Sequence, residues 1–308
     1  MLWVLPNPNK RQISTRFGTI FWQALYREER MYEDLKGKTA LVTGAGKKSG
    51  IGYAIARKLA ESGCNVIVAD LGEKGGDEQQ VRTGTTSEME AIVQELGTEF
   101  GVKTLAVSMD VADNGSVEKM AMAIGKEFDA VHVLCNNAGT VFGVPNAVHT
   151  YDEDAWLQTI DINLNGVYRV SKAIIPMMLE KGGAVINIAS QAAKKPPLFN
   201  GAYAAAKAGV LMMTKVMAME LAANKVRVNA VCPGVILTDF TQWRFELEAE
   251  FFNTSAQDRI NEKCKEIPLG RLGKAEEVAS TVAFLASDAS SYMTGQALNI
   301  TGGQTMEI

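Results

Sequence analysis

From Lys38 onward, short runs of apolar and β-branched residues alternate with longer, Ala-rich stretches whose polar positions recur at helical spacing. The runs TALVTG, NVIVAD, TLAVSMD, VHVLCNNAG, AVINIAS, VRVNAVCPG and ALNITGG read as seven strands. They lack the alternation a strand shows when one face meets water, so both faces of the sheet must be covered. Strand and helix in turn is the rhythm of βαβ units. It predicts an α/β fold of the doubly wound, Rossmann type, with a seven-stranded parallel sheet flanked by helices. No repeat, low-complexity tract or linker divides residues 38–308, which predicts a single catalytic domain over residues 31–308.

Residues 1–30 break the pattern. MLWVLPNPNKRQISTRFGTIFWQALYREER carries five basic residues, no acid before Glu28, and no apolar core ending in a small-residue cleavage site, so it does not read as a secretory signal. The expectation is an N-terminal extension, non-native or disordered, with Met31 as the true start. The alternatives are an organelle leader, or an amphipathic arm that packs Trp3, Phe17, Phe21 and Trp22 on a partner subunit.

Charge and cysteines narrow the class further. The chain holds 31 Lys and Arg against 35 Asp and Glu, a net charge of −4, with 47% hydrophobic residues. A mildly acidic chain without a polybasic run speaks against nucleic-acid and membrane-surface partners, and no apolar stretch reaches the roughly 20 residues that span a bilayer. Cys64, Cys135, Cys232 and Cys264 have no metal-ligand spacing, so no metal site and no disulfide are expected, and reduced, buried cysteines in a cytoplasmic protein are the simplest reading. With His132 and His149 as the only histidines, chemistry must rest on other groups.

The first strand runs directly into Thr43-Gly44-Ala45-Gly46-Lys47-Lys48-Ser49-Gly50-Ile51-Gly52 and then a helical stretch. Glycines at such a turn let the backbone approach a pyrophosphate, whose charge the free N–H groups of the helix N-terminus stabilise. Asp70, ending the second strand, is placed to accept hydrogen bonds from adenosine ribose hydroxyls. Tyr203 and Lys207 stand one helical turn apart on one face. A phenol is a poor proton shuttle at neutral pH, but a neighbouring ammonium favours the phenolate and makes it an acid or base. Alone, such a pair is more often a surface or packing contact, and Ser190 alone merely ends a strand; their joint occurrence downstream of a dinucleotide turn reverses that weighting.

In their order and spacing, the TG and GIG turn, Asp110-Val111, Asn136-Asn137-Ala138-Gly139, Asn163, Ser190, Tyr203-x-x-x-Lys207 and Pro233-Gly234 resemble the short-chain dehydrogenase/reductase family over about residues 36–306. The resemblance implies a nicotinamide coenzyme and a catalytic group of Asn163, Ser190, Tyr203 and Lys207. Tyr203 would be the acid/base, Lys207 its activator and a holder of the nicotinamide ribose, Ser190 the residue that orients the substrate oxygen, and Asn163 the holder of a relay water. Gly44, Ser49, Gly50, Ile51 and Gly52 would contact the coenzyme, as would Asp70, Asp110 and Val111. Asn137, Ala138 and Gly139 would pass beneath its adenine side, and Pro233, Gly234, Ile236 and Thr238 would meet the carboxamide.

Two departures stand out. Five residues, Ala45 to Ser49, separate TG from GIG where the family usually has three, so the turn must bulge. After Asp70 the chain carries an added GEKGGDEQQVRTGTTSE, which reads as a polar surface loop. Asp70 would repel a 2′-phosphate and favours NAD, while Lys47 and Lys48 would favour NADP; the strand-end carboxylate carries the greater weight. Past Pro233-Gly234, Phe240, Trp243, Phe245, Phe251 and Phe252 read as an apolar lid or as ordinary helix packing, and Lys194 and Lys195 as solvated or as attractors of an anionic substrate.

The expected function is hydride transfer between a nicotinamide coenzyme and a secondary alcohol or ketone. A 3-oxoacyl-thioester reductase shares every one of these residues, and a coenzyme-binding sensor is the non-enzymatic alternative. The helix around AAAKAGVLMMTKVMAMELAA is apolar on more than one face, which together with the resemblance predicts a homotetramer or homodimer.

Overall fold

The computed structural model describes residues 32–72 and 83–307, so the expectation for residues 1–30 lies outside the described residues. In chain order the elements are β1 (Thr39–Thr43), α1 (Ile51–Glu61), β2 (Asn65–Asp70), α2 (Thr86–Phe100), β3 (Thr104–Ser108), α3 (Asn114–Glu127), β4 (Val133–Asn136) and α4 (Glu153–Ile160). There follow α5 (Gly166–Ile174), β5 (Gly183–Ile188), α6 (Gly201–Leu221), β6 (Val226–Pro233), α7 (Asp239–Phe252), α8 (Ala256–Lys265), α9 (Ala275–Ala286) and β7 (Ala297–Ile300). All seven predicted strands form, in the order β3-β2-β1-β4-β5-β6-β7, and every pairing is parallel.

Period-two side-chain alternation divides each strand between two cores. Val42, Val68 and Ile186 face the side covered by Ile55 and Leu59 of α1, Met89 and Leu96 of α2, and Val278 and Val282 of α9. Leu41, Ile67 and Val185 face Ile124 of α3 and Val170 and Ile174 of α5. Burial on both faces explains the unbroken apolar runs. Leu41 is fully buried, and its truncation to Ala belongs to the class of core changes that cost about 2–5 kcal/mol.

Cys64, Cys135 and Cys232 are buried free thiols as expected, whereas Cys264 on α8 is only half-buried. No helix among the described residues is long and apolar enough to cross a membrane.

Candidate active site

The strand order reverses between β1 and β4, so the loops leaving those two strands diverge and open a crevice at their C-terminal ends. A cleft of about 1590 Å³ occupies this position. On one side of it the turn after β1 is held from below. Gly44 has φ +65°, and a Cβ there would stand 2.8 Å from Ala138 Cα, so glycine alone fits. Asn137 Nδ2 donates to the carbonyls of Thr43 and Gly44 at 2.9 and 3.0 Å, tying the turn to the end of β4. Gly52 does not line the cleft: it lies under the turn, where a Cβ would come within 2.2 Å of the Gly44 carbonyl oxygen.

The bulge in the turn reaches Asp70. Gly46 N–H donates to Asp70 Oδ2 and Leu71 N–H to Oδ1, both at 2.8 Å. Burial pushes the Asp70 carboxyl up, and these two backbone donors oppose the rise. Part of the added segment after Asp70 is not the free surface loop expected. Gly84 packs on the bulge so closely that a Cβ would fall 2.3 Å from Gly46 O, and its carbonyl accepts from Gly72 N–H at 3.1 Å. Thr85 and Glu88 then form a capping box that starts α2. The enlarged turn is therefore matched by a second segment that covers it.

Donors face the cleft at the start of α1. Its N-cap, Gly50, supplies no side-chain acceptor, so the first N–H groups are uncapped. Ser49 Oγ is buried without a hydrogen-bond partner. Orphaned donors at a helix N-terminus fit a diphosphate. The two lysines of the bulge are both ion-paired: Lys47, which lines the cleft, with Asp239 at the start of α7, and Lys48 with Glu95 on α2.

The remaining predicted residues converge on the cleft. Asp110, Val111, Ala138, Gly139, Pro233, Gly234, Ile236 and Thr238 all line it. Thr238 also caps α7 by accepting from Thr241 N–H at 3.3 Å. Asn163 is fully buried, not in regular helix but in a π-helical turn, Asp161–Asn165, that joins α4 to α5. Single π turns often mark functional sites, because the extra residue redirects a side chain. Here Asn163 Nδ2 donates to Thr140 O and Thr159 O at 2.5 and 2.8 Å, while Oδ1 has no partner.

Lys207 of α6 is 3% exposed, and its Nζ donates to Ile188 O at 3.0 Å and lies 5.6 Å from the Tyr203 ring centre. Burial pushes its ammonium down to about 8. Tyr203 is pushed up by burial, against the hydrogen bond from Ser190 and the positive charge of Arg244. A Cβ added to Gly139 would meet both Asn163 Oδ1 at 2.6 Å and Lys207 Nζ at 3.4 Å, so these two groups face one another across a bare glycine. Ser190 starts a short 3-10 turn two residues past β5 and accepts from Ala192 N–H at 3.1 Å.

A second amide pair braces this wall. Asn136 Nδ2 donates to Asn187 Oδ1 at 2.8 Å and to Ser171 Oγ at 3.1 Å, and Asn187 Nδ2 to Thr214 Oγ1 at 2.9 Å. The chain joins β4, β5, α5 and α6 in one buried network. Sequence reading did not single out Asn187, Gln191, Thr83 or Arg244, although the last three line the cleft. Gln191 adjoins Ser190 and holds an unpartnered, buried Oε1; its place beside Ser190 was the one available signal. Of the expected lid aromatics, Phe240, Trp243, Phe251 and Phe252 line the cleft, but Phe245 is fully buried and anchors α7 instead. Lys194 turns away to Ala297 O and Asn299 Oδ1, both at 2.9 Å, and pairs with Glu307.

Fold, turn and side-chain group together define an oxidoreductase, and the chain belongs to the short-chain dehydrogenase/reductase family. Residues 44–305 match the family described as enoyl-(acyl carrier protein) reductase. Among curated relatives, the chain is 37% identical over 270 residues to the 3-oxoacyl-(acyl carrier protein) reductase of Staphylococcus epidermidis, covering 87% of this chain and 99% of that one. Its structure is similar to that of the actinorhodin polyketide ketoreductase with NADPH, at TM-score 0.78 and 33% identity, over 88% of this chain and 98% of that one. It is also similar to NAD+-bound xylitol dehydrogenase, at TM-score 0.77 and 30% identity, over 87% and 99%.

Proposed function

We propose that the protein is an NAD(P)-dependent alcohol dehydrogenase or carbonyl reductase acting on a free small molecule. The observation that carries this reading is the burial of Lys207 beneath Tyr203, with the unpartnered Asn163 Oδ1 facing the same ammonium across Gly139. An ammonium so costly to bury has a use there. When bound, the coenzyme supplies the hydride acceptor or donor at its nicotinamide ring. Ser190 holds the substrate oxygen toward Tyr203. In oxidation Tyr203 takes the hydroxyl proton as the C–H electron pair leaves with its hydrogen; in reduction Tyr203 returns a proton to the oxygen. Lys207 stabilises the phenolate, and a water on Asn163 Oδ1 would carry the proton onward to solvent.

The coenzyme reading is NAD. Asp70 is held by Gly46 and Leu71 at the ribose position, and both lysines that would offset its charge already have carboxylate partners. Homologous structures include both NADPH and NAD+ complexes, so the choice rests on these residues. A homodimer or homotetramer is the proposed assembly, and free cysteines fit a cytoplasmic setting.

A second reading, reduction of a 3-oxoacyl thioester, is favoured by the 37% identity to an enzyme of that name. Against it, two of the cations lining the cleft already have carboxylate partners, Arg259 with Glu262 and Glu248 and Lys263 with Glu266, which leaves less positive charge for an acidic carrier protein. Steady-state assays of wild type and Tyr203→Phe on neutral alcohols, ketones and 3-oxoacyl thioesters test the proposal. Tyr203→Phe is expected to bind coenzyme normally and to lose roughly 10² to 10⁴ in kcat. A variant that kept its kcat would overturn the mechanism.

A further inference from the structure

The substrate half of the cleft, between the loop after β5 and helices α7 and α8, carries charges that do not balance. Lys195, Arg244, Arg259 and Lys263 face it, against Glu248, Glu262 and Glu266. Asp239 also lines it but is engaged by Lys47 from the opposite wall. Lys263 has Glu266, on which Lys195 also acts, and Arg259 has Glu262. Glu248 is shared: it lies 3.3 Å from Arg259 Nη2 and 3.2 Å from Arg244 Nε. The last contact is not a directed hydrogen bond, because Arg244 Nε is buried with no hydrogen-bond partner. Arg244 thus shares Glu248 with a second arginine and makes no directed hydrogen bond to it through Nε.

Its position is fixed from behind. The guanidinium lies 5.3 Å from the centre of the Phe245 ring, and Phe245 is fully buried. Such a stack holds the planar fork in place without using its N–H groups. Arg244 lies near enough to Tyr203 for its charge to lower the phenol's pKa. The same cleft is lined by the apolar Phe240, Trp243 and Phe199, which offer no rival for an anion.

We infer that Arg244 anchors a carboxylate on the substrate, so that the preferred substrate is an oxo acid or the corresponding hydroxy acid. This rests on the oxidoreductase reading above and names the substrate class for that site. A guanidinium fork pairs with a carboxylate by two parallel N–H···O bonds, which fixes direction as well as energy and brings the carbonyl to Tyr203 in one orientation. A neutral ketone or an ester leaves the guanidinium with Glu248 alone in a half-buried site.

The test compares acetoacetate and 4-oxopentanoate with their methyl esters in wild type, Arg244→Met and Arg244→Lys, using NADH and NADPH. The side chain of Arg244 is 38% exposed, so neither variant opens a closed core, and circular dichroism checks the fold. Wild type is expected to favour at least one acid over its ester by tenfold or more in kcat/KM. Arg244→Met should bring the ratio of acid to ester kcat/KM to about one, whatever it does to ester turnover through Tyr203, and Arg244→Lys should retain part of the preference, as a point charge does in place of a fork. Esters reduced as well as acids by wild type, or an acid preference unchanged in Arg244→Met, would overturn the inference and leave the oxidoreductase reading intact. No reduction of any of the four compounds, or of neutral ketones, by a protein that still binds coenzyme would overturn both.

Discussion

Lys47 in the bulged glycine turn is ion-paired with Asp239, the first residue of α7, so the turn after β1 is tied across the cleft to that helix. The pair is partly exposed, at 24% and 52%, which limits its contribution to folding. With the coenzyme phosphates at this turn, as proposed above, the pair would act on coenzyme binding instead, Asp239 withholding a cation from them. Asp239→Asn is expected to shift the melting temperature by less than about 2 °C, in keeping with the small worth of an exposed ion pair. It should lower the KM for NADP several-fold, and Lys47→Met should not. Equal KM values in Asp239→Asn and wild type, measured with one accepted substrate, would mean that Lys47 does not reach the coenzyme when released.

Lys207 gives a prediction about stability with a definite sign. Its folded value near 8 lies below the ordinary 10.5, so the unfolded chain holds the proton more tightly between those pH values. The cost of burying the charge is therefore fully present below pH 8 and fades as pH rises from 8 to 10.5. A shift of that size corresponds to a penalty on the order of 3 kcal/mol, from which the lost hydrogen bond to Ile188 subtracts about 1 kcal/mol. Coenzyme-free Lys207→Met should thus resist urea better than wild type at pH 7 while being inactive. The advantage should vanish toward pH 10.5; an advantage that grew with pH would contradict the assignment.

Asp70 anchors the bulge through Gly46 and, on the NAD reading proposed above, would also face the adenosine ribose. Asp70→Ser should therefore shift kcat/KM toward NADP relative to NAD by about tenfold, the effect of removing one close like charge near the 2′-phosphate. It should also lower kcat/KM for NAD, because the turn loses its anchor. Unchanged discrimination would show that residues such as Thr83, on the covering segment, read the ribose instead.

Met212, Val216 and Met219 lie along one face of α6 and are 61%, 46% and 83% exposed. With four- and three-residue spacing they form an apolar stripe that water would otherwise meet. A self-association interface along this stripe predicts that the double variant Met212→Glu, Val216→Glu is monomeric by light scattering while wild type is a dimer or tetramer. A monomeric wild type at micromolar concentration would refute it.

The sheet and the catalytic wall were legible before any coordinates. Continuous apolar runs give away strands buried on both faces, and a turn of glycines or a Tyr and Lys one helical turn apart is a local pattern that survives translation into structure. Asn163 was legible as a residue but not as the occupant of a π turn, since one extra residue in a helix leaves no periodic trace. What escaped were contacts between side chains far apart in the chain. Gly84 covering Gly46, Lys47 reaching Asp239, Asn136 meeting Asn187, and Arg259 sharing Glu248 with Arg244 each depend on how elements fold back on one another, and hydrophobic pattern specifies which face is buried without specifying what lies opposite. The run of apolar and β-branched residues suffices for the α/β sheet, and local spacing for setting Tyr203 and Lys207 on one helix face; which charges pair across the cleft follows only from packing, because it depends on elements far apart in the chain.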